Sequence, residues 1–225
     1  GNSNTAVGNN ALLNKTIGNN NTAIGEGTLQ NLIGGSNNIA IGYNAGNAIG
    51  SPNVVNTISI GNDGSFLNGA NNQTIIGNSS MVFIGGKVNW GIVSDARIKT
   101  DVKEDVGGLD FILRLRPVTY HISNKAMEMV TQTKDPIEFA GKYDGEKIKY
   151  TGFLAQEVER AALASNYDFS GYTKPGNAQQ LYTVRYAEFV VPLVKAMQEQ
   201  QTIISTQQKQ IDLLEKRLAA LETKK

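Results

Sequence analysis

The stretches NTAVG (Asn4–Gly8), NTAIG (Asn21–Gly25) and NIAIG (Asn38–Gly42) close on glycines 17 residues apart. TISIG, QTIIG and MVFIG follow and close at Gly61, Gly77 and Gly85, so the period drifts to 19, 16 and then 8. Each unit is a short alternating segment whose Ala, Ile and Val side chains are expected to point inward. The closing glycine permits a corner with positive φ. One such strand cannot bury its face alone, so stacked neighbours must make the core. Asn suits the corners, because it tolerates the left-handed region and hydrogen-bonds its own backbone. Stacked Asn side chains can also form ladders from coil to coil. The expected fold is an all-β parallel repeat, β-roll or β-helix-like. Apolar positions recurring in phase with Gly argue against a disordered Asn/Gly tract.

Outside the repeats the polymer changes character. Residues 1–93 hold four charged side chains, Lys15, Glu26, Asp63 and Lys87, among 21 Asn and 17 Gly. Residues 94–225 hold 19 Lys and Arg, 18 Asp and Glu, and seven Gly. This break, between Trp90 and Arg97, sets the expected domains at 1–93 and 94–225. The net charge of +1 gives no global basic field, so no nucleic-acid partner is expected. The absence of Cys excludes disulfides, thiolate chemistry and Cys-ligated metals. No apolar run approaches the roughly 18 residues that span a bilayer, so no membrane insertion is expected. GNSNTAVG, at the start, lacks the basic and apolar regions of a signal peptide. Beginning inside a repeat, the sequence reads as the C-terminal piece of something longer.

The charged part reads as α+β (94–185) followed by a coiled-coil helix (186–225). Gly107–Pro117 predicts a short helix opened by Gly-Gly and stopped before Pro117. Val118–Ile122 predicts a strand, Lys147–Ala155 contains a second, Ala155–Leu163 predicts a helix, and Leu181–Val184 a short strand. From Tyr186 onward one helix carries a heptad seam: Val190, Leu193, Met197, Gln200, Ile204, Gln207, Ile211, Leu214, Leu218 and Leu221. Four heptads of this spacing argue for association through the helix. The two Gln cost stability and can specify register. Ile211 with Leu214 follows the two-stranded preference, so the seam alone does not set three strands.

NTAIGEGTL and NIAIGYNAG resemble the head repeats of trimeric autotransporter adhesins (YadA-like heads) across residues 1–85. That resemblance implies a left-handed parallel β-roll and a homotrimer. It says little about what the fibre binds; a cell-surface glycan or receptor is a candidate ligand.

At the join, GIVSDARIKTDV (Gly91–Val102) holds Ser94, Asp95 and Lys99. By themselves, Ser94-Asp95 most often means a helix N-cap, and Arg97 with Lys99 a solvated face. SDARIKTDV, LDFILRLRPVTY, GFLAQEVE and YAEFVVPLVKAMQEQ, in that order, resemble the intramolecular chaperone domain of phage endosialidases and other tail fibres over essentially all of 94–225. The resemblance implies a domain that trimerises, assists folding of the preceding fibre, and then cuts itself off before the motif serine. Carried over, the cleavage site is Val93–Ser94, with Ser94 as nucleophile and Lys99 as its Ser-Lys dyad partner. It also implies a virion tail fibre or spike, or an extracellular surface, with the domain released after assembly. Serine needs a base, and lysine can serve when desolvation or nearby cations hold it neutral. Five residues is an awkward interval. It separates side chains by about 140° on a helix and places them on opposite faces of a strand. The segment must therefore bend, or Lys99 of one chain must serve Ser94 of another. Asp95 is a candidate orienting residue, a partner for Arg97, or simply a cap.

Other chemistry is poorly supported. His121, the single histidine, sits mid-strand in TYHIS and reads as structural. Glu157 and Glu159 are two apart on a helix and make no carboxylate pair. Glu26 and Asp63 are too few acids for glycoside hydrolysis. No Gly-rich loop has phosphate-binding spacing, and neither cofactor nor metal is expected. The competing reading is a surface adhesin fragment whose C-terminal domain is a permanent, non-cleaving trimerisation cap.

Overall fold

The computed structural model describes residues 1–15, 17–47, 52–63, 70–132 and 138–223. The chain forms two compact units. One comprises residues 1–89, 120–150 and 175–181; the other comprises 90–119, 151–174 and 182–225. The segments 120–150 and 175–181 therefore group with the repeats rather than with the rest of the charged half.

In the first unit the repeats build a parallel β-solenoid. Five strands, β1 (Thr5–Val7), β2 (Thr22–Ile24), β3 (Ile39–Ile41), β4 (Ile58–Ile60) and β5 (Thr74–Ile76), pair in sequence order. Their register follows the repeat, with Ala6 opposite Ala23, Ala23 opposite Ala40, Ala40 opposite Ser59, and Ser59 opposite Ile75. In β2, β3 and β4 the middle residue faces the core: Ala23, Ala40 and Ser59 are fully buried. The flanking Ile24, Ile39, Ile41, Ile60 and Ile76 are exposed. This corrects the expectation that the Ile and Val side chains point inward. Alternation puts them on the opposite face from a narrow core that admits Ala or Ser. The interior is completed from the corners by Leu29, Leu32, Ala45 and Val54.

The predicted Asn ladder is present. Asn21 donates its backbone N–H (3.0 Å) and Nδ2 (2.9 Å) to Asn4 Oδ1. Asn38 repeats this toward Asn21 Oδ1 at 3.1 and 2.9 Å. Thr57 ends the run, donating its N–H and Oγ1 to Asn38 Oδ1 at 3.0 and 2.8 Å. Corners fall in phase as well: Asn20, Asn37, Asn56 and Asn72 all adopt left-handed φ of 57–60°. At Gly25 φ is +126°, and an added Cβ would lie within 2.8 Å of the Gly42 carbonyl of the next coil, so glycine is required there. The sixth unit, MVFIG, is not a strand. Residues 81–86 are coil and Phe83 is 81 % exposed. Eight residues after the preceding glycine is half a coil, too short to complete a turn of the solenoid.

The same unit contains a helix that the sequence reading did not predict, α2 (Asn124–Thr131). Ser123 caps it, accepting from the Ala126 N–H at 3.3 Å.

In the second unit α1 (Leu109–Leu113) places Phe111, fully buried, in an aromatic cluster. Ring centroids lie 4.9 Å away at Phe169, 5.3 Å at Tyr167 and 6.4 Å at Phe189. α3 (Ala155–Ala164) closes the core with Val158, Ala161 and Ala162 at helical spacing. β8 (Tyr172–Thr173) pairs antiparallel with β9 (Thr183–Val184), while β6 (Val118–Tyr120) and β7 (Tyr150–Gly152), whose residues 120 and 150 belong to the first unit, form a separate two-stranded pair. A 3₁₀ turn, Tyr186–Phe189, leads into α4 (Val190–Glu222). The chain is thus a β-solenoid followed by an α/β region ending in a long helix. Of α4 only Pro192 and Ala196 are buried, and every residue of the heptad seam is exposed within the chain. His121 lies one residue beyond β6 and is exposed, not mid-strand as expected. Pro117 limits the run before it, and pairing with three-residue β7 ends at Tyr120. No described helix is long and apolar enough to cross a membrane.

Candidate functional site

Just after the join between repeats and charged region the chain makes a single short turn. Asp95 caps a 3₁₀ helix, Ala96–Ile98, and its carboxylate accepts from the Arg97 N–H at 2.9 Å. The turn is closed by Ile98 N–H to Asp95 C=O and Lys99 N–H to Ala96 C=O, both 3.2 Å. The Arg97 guanidinium folds back onto the same carboxylate, with Nε at 3.0 Å and Nη2 at 2.6 Å. These side-chain bonds, and secondly the backbone one, hold the Asp95 carboxyl below the usual aspartate range. Asp95 is therefore both cap and partner of Arg97, two of the roles left open by the sequence.

The bend brings together what neither a helix nor a strand would. Lys99 Nζ donates to Ser94 Oγ at 2.7 Å, within one chain. Three residues per turn, rather than 3.6, and extended backbone at both Asp95 and Lys99 close the five-residue interval. Ser94 and Lys99 are both exposed, and Val93 is 81 % exposed, so the peptide bond between Val93 and Ser94 stands open to solvent.

Further along the chain, α1 and α4 are tied together. Leu109 N–H, at the first position of α1, donates to Glu199 Oε2 at 2.6 Å. The absence of a side chain at Gly108 is what lets the Glu199 carboxylate approach, since a Cβ there would collide with it. The sequence signalled the Gly-Gly opening of α1 but not the carboxylate, 90 residues away, that caps it.

Glu157 and Glu159 have separate partners, as their two-residue spacing implies. The Arg116 guanidinium pairs with Glu157 at 2.6 and 3.1 Å. Tyr182 Oη (2.8 Å) and Lys174 Nζ (3.1 Å) donate to Glu159. Neither carboxylate approaches Ser94 by any of these bonds. Among the described residues no His, Cys, Asp and Glu cluster could hold a metal ion.

Residues 94–166 match the Peptidase_S74 family model, described as chaperone of endosialidase. No curated protein and no solved structure matches the chain. The match begins at Ser94 itself, the residue after the compositional break. The turn that carries Ser94 and Lys99 thus opens a stretch of the chain similar to the chaperone of endosialidases, and three of the four ordered motifs, SDARIKTDV, LDFILRLRPVTY and GFLAQEVE, lie within it.

Proposed function

We propose that residues 94–225 are a C-terminal intramolecular chaperone that gathers three chains, sets the register of their β-solenoids, and then cuts the Val93–Ser94 bond with Ser94 and Lys99. The observation that carries this reading is the 2.7 Å approach of Lys99 Nζ to Ser94 Oγ beside an exposed peptide bond, where the family match starts. In the cleaving state Lys99 is a neutral amine and the hydrogen bond runs the other way. Ser94 Oγ attacks the Val93 carbonyl carbon while its proton passes to Nζ. The Val93–Ser94 C–N bond then breaks as the lysine returns the proton to the leaving Ser94 nitrogen. The product is an ester between Val93 and Ser94 Oγ, which water hydrolyses to a Val93 carboxylate and a free serine hydroxyl. Enclosing the pair in an assembly would favour the neutral amine, because burial disfavours the ammonium. Cutting would then follow assembly.

The solenoid supplies the physical need. A slip by one 17-residue coil preserves most of the Ala and Asn matches, so misregistered assemblies are near-degenerate traps. A helix forms from local contacts, and its exposed seam can bring three chain ends into one register at high effective concentration. After the cut the template is gone, and persistence of the fibre becomes kinetic. This reading places the protein on a virion tail fibre or spike, or an extracellular surface, with a cell-surface glycan or receptor as the fibre's ligand.

The test is to produce residues 1–93 with and without 94–225. The account predicts soluble, homotrimeric solenoid only when 94–225 is synthesised in the same chain. Equal yield of trimer without it would overturn the chaperone role.

The permanent cap is favoured by one observation, the exposure of both Ser94 and Lys99. It predicts full-length chain in a sample that is trimeric.

A further inference from the structure

We propose that Trp90–Val93 of one protomer is a strap that seats in a groove on a second copy of this chain, between residues 103–106 and α4. The proposal extends the self-cleavage reading by naming what holds the substrate side of the scissile bond.

Two features of the second unit lack an occupant and match each other. Trp90 is 89 % exposed, Ile92 80 % and Val93 81 %, in a segment outside any strand or helix. Such a run of large apolar side chains in water marks an interface rather than a free loop. The groove holds about 360 Å³. Its apolar lining is Val106, Val191 and Val194, and its charged lining is Lys103, Glu104 and Lys195. The strap from Trp90 to Val93 is uncharged and fits the valine lining, while the charged groups can stay in water.

Geometry selects a second copy over the chain's own strap. Val191, Val194 and Gln198 form a stripe on α4 displaced by one residue, about 100°, from the seam residues Val190, Leu193 and Met197. A copy packed on the seam therefore lies beside the groove, whereas the chain's own strap stands in solvent. The area is adequate. A stable interface needs about 800 Å² per partner; the eight apolar seam residues are all exposed and free to contribute, and one tryptophan adds about 150–250 Å². An extended strap places Trp90 and Ile92 on one side and Gly91 and Val93 on the other. With Trp90 and Ile92 on the valine lining, the Val93–Ser94 bond is left facing outward.

The chain has no cysteine, which makes the test direct. A tagged full-length chain carrying Trp90→Cys and an untagged one carrying Val194→Cys, both with Ser94→Ala, are co-expressed and oxidised. A second pair, Ile92→Cys with Val191→Cys, guards against one unfavourable geometry. The expected result is a disulfide-linked dimer of one tagged and one untagged chain. Overturning results are crosslinks only between like variants, or none with either pair. Because Ser94 is absent from these chains, the result is independent of cleavage. A mixed dimer together with uncut wild type would sink self-cleavage and leave the strap standing. In a wild type that cuts, Trp90→Ala should slow cutting at least about tenfold, and Trp90→Phe should restore most of it.

Discussion

Lys99 Nζ stands 2.7 Å from Ser94 Oγ across a single 3₁₀ turn. The pair is local in sequence and needs no second chain to form. What holds it is the Asp95 carboxylate, which binds both the backbone and the guanidinium of Arg97.

Loss of that brace should therefore loosen the dyad without touching it. Asp95→Ala is predicted to slow cleavage by about 10²-fold, the effect of displacing a reacting group by ~1 Å. Arg97→Ala should act in the same direction and less strongly, because the backbone N–H at position 97 survives. The check is the rate of appearance of a new N-terminus at Ser94. A rate unchanged in Asp95→Ala would mean that the turn forms without its cap.

The heptad seam of α4 has no partner among its own chain's core residues. Ile204→Asp or Ile211→Asp is predicted to convert the assembled chain to monomer, read by analytical ultracentrifugation. Each places a charge in the centre of the proposed interface, where an unpaired ion costs several kcal/mol. Aspartate at Gln201, off the seam, should leave assembly intact. Unchanged mass for both Ile variants would show that the helix does not assemble the chain.

Asn38 is the hinge of the inner ladder. It donates to Asn21 and to the Val54 carbonyl, and accepts both donors of Thr57. Asn38→Ala is predicted to lower stability by at least about 2 kcal/mol, since the Val54 carbonyl and the Thr57 groups lose their buried partner. Denaturant unfolding of the Ser94→Ala chain measures this. Asn14→Ala, on an exposed ladder (3.5 Å to Asn31), should cost far less. Equal losses would contradict a load carried by burial.

Acid should weaken the second unit through two carboxylates. The hydrogen bond from Arg116 holds Glu157 below the usual glutamate range, and the bonds from Tyr182 and Lys174 do the same to Glu159. Both folded values are depressed, so the unfolded chain binds protons first as pH falls. The contribution is complete above the ordinary glutamate value of about 4.3 and is lost as pH drops through the lower folded values. Melting temperature should decline from pH 6 toward pH 3 in wild type, and less steeply when Arg116→Ala and Tyr182→Phe are combined. An identical slope in the double variant would assign the acid sensitivity elsewhere.

Much of this was legible in the sequence because it is periodic or local. The 17-residue recurrence predicted parallel coils and Asn ladders, and α1, α3, both strand regions and α4 fell where spacing and Gly or Pro placed them. The strand faces misled, because three residues contain only one inward position, which Ala or Ser fills in β2, β3 and β4. MVFIG misled because composition was matched without regard to coil length. α2 was missed although Ser123 caps it, since Asn124–Thr131 mixes polar and apolar residues without a long run. The proposal to pair Ser94 with Lys99 came from ordered motifs, and the bend that brings them within 2.7 Å was deducible only as a requirement. A 3₁₀ turn is one solution, and Asp95 two residues before Arg97 was its faint signal. The Glu199 cap on α1 could not be read at all, because no local pattern links residues 109 and 199.

The most direct measurement is intact mass of purified, trimeric wild type beside Ser94→Ala and Lys99→Ala. The account predicts a wild-type cut between Val93 and Ser94 and full-length chain in both variants. Full-length wild type in a sample shown to be trimeric would contradict self-cleavage, as would a cut that persists without Lys99.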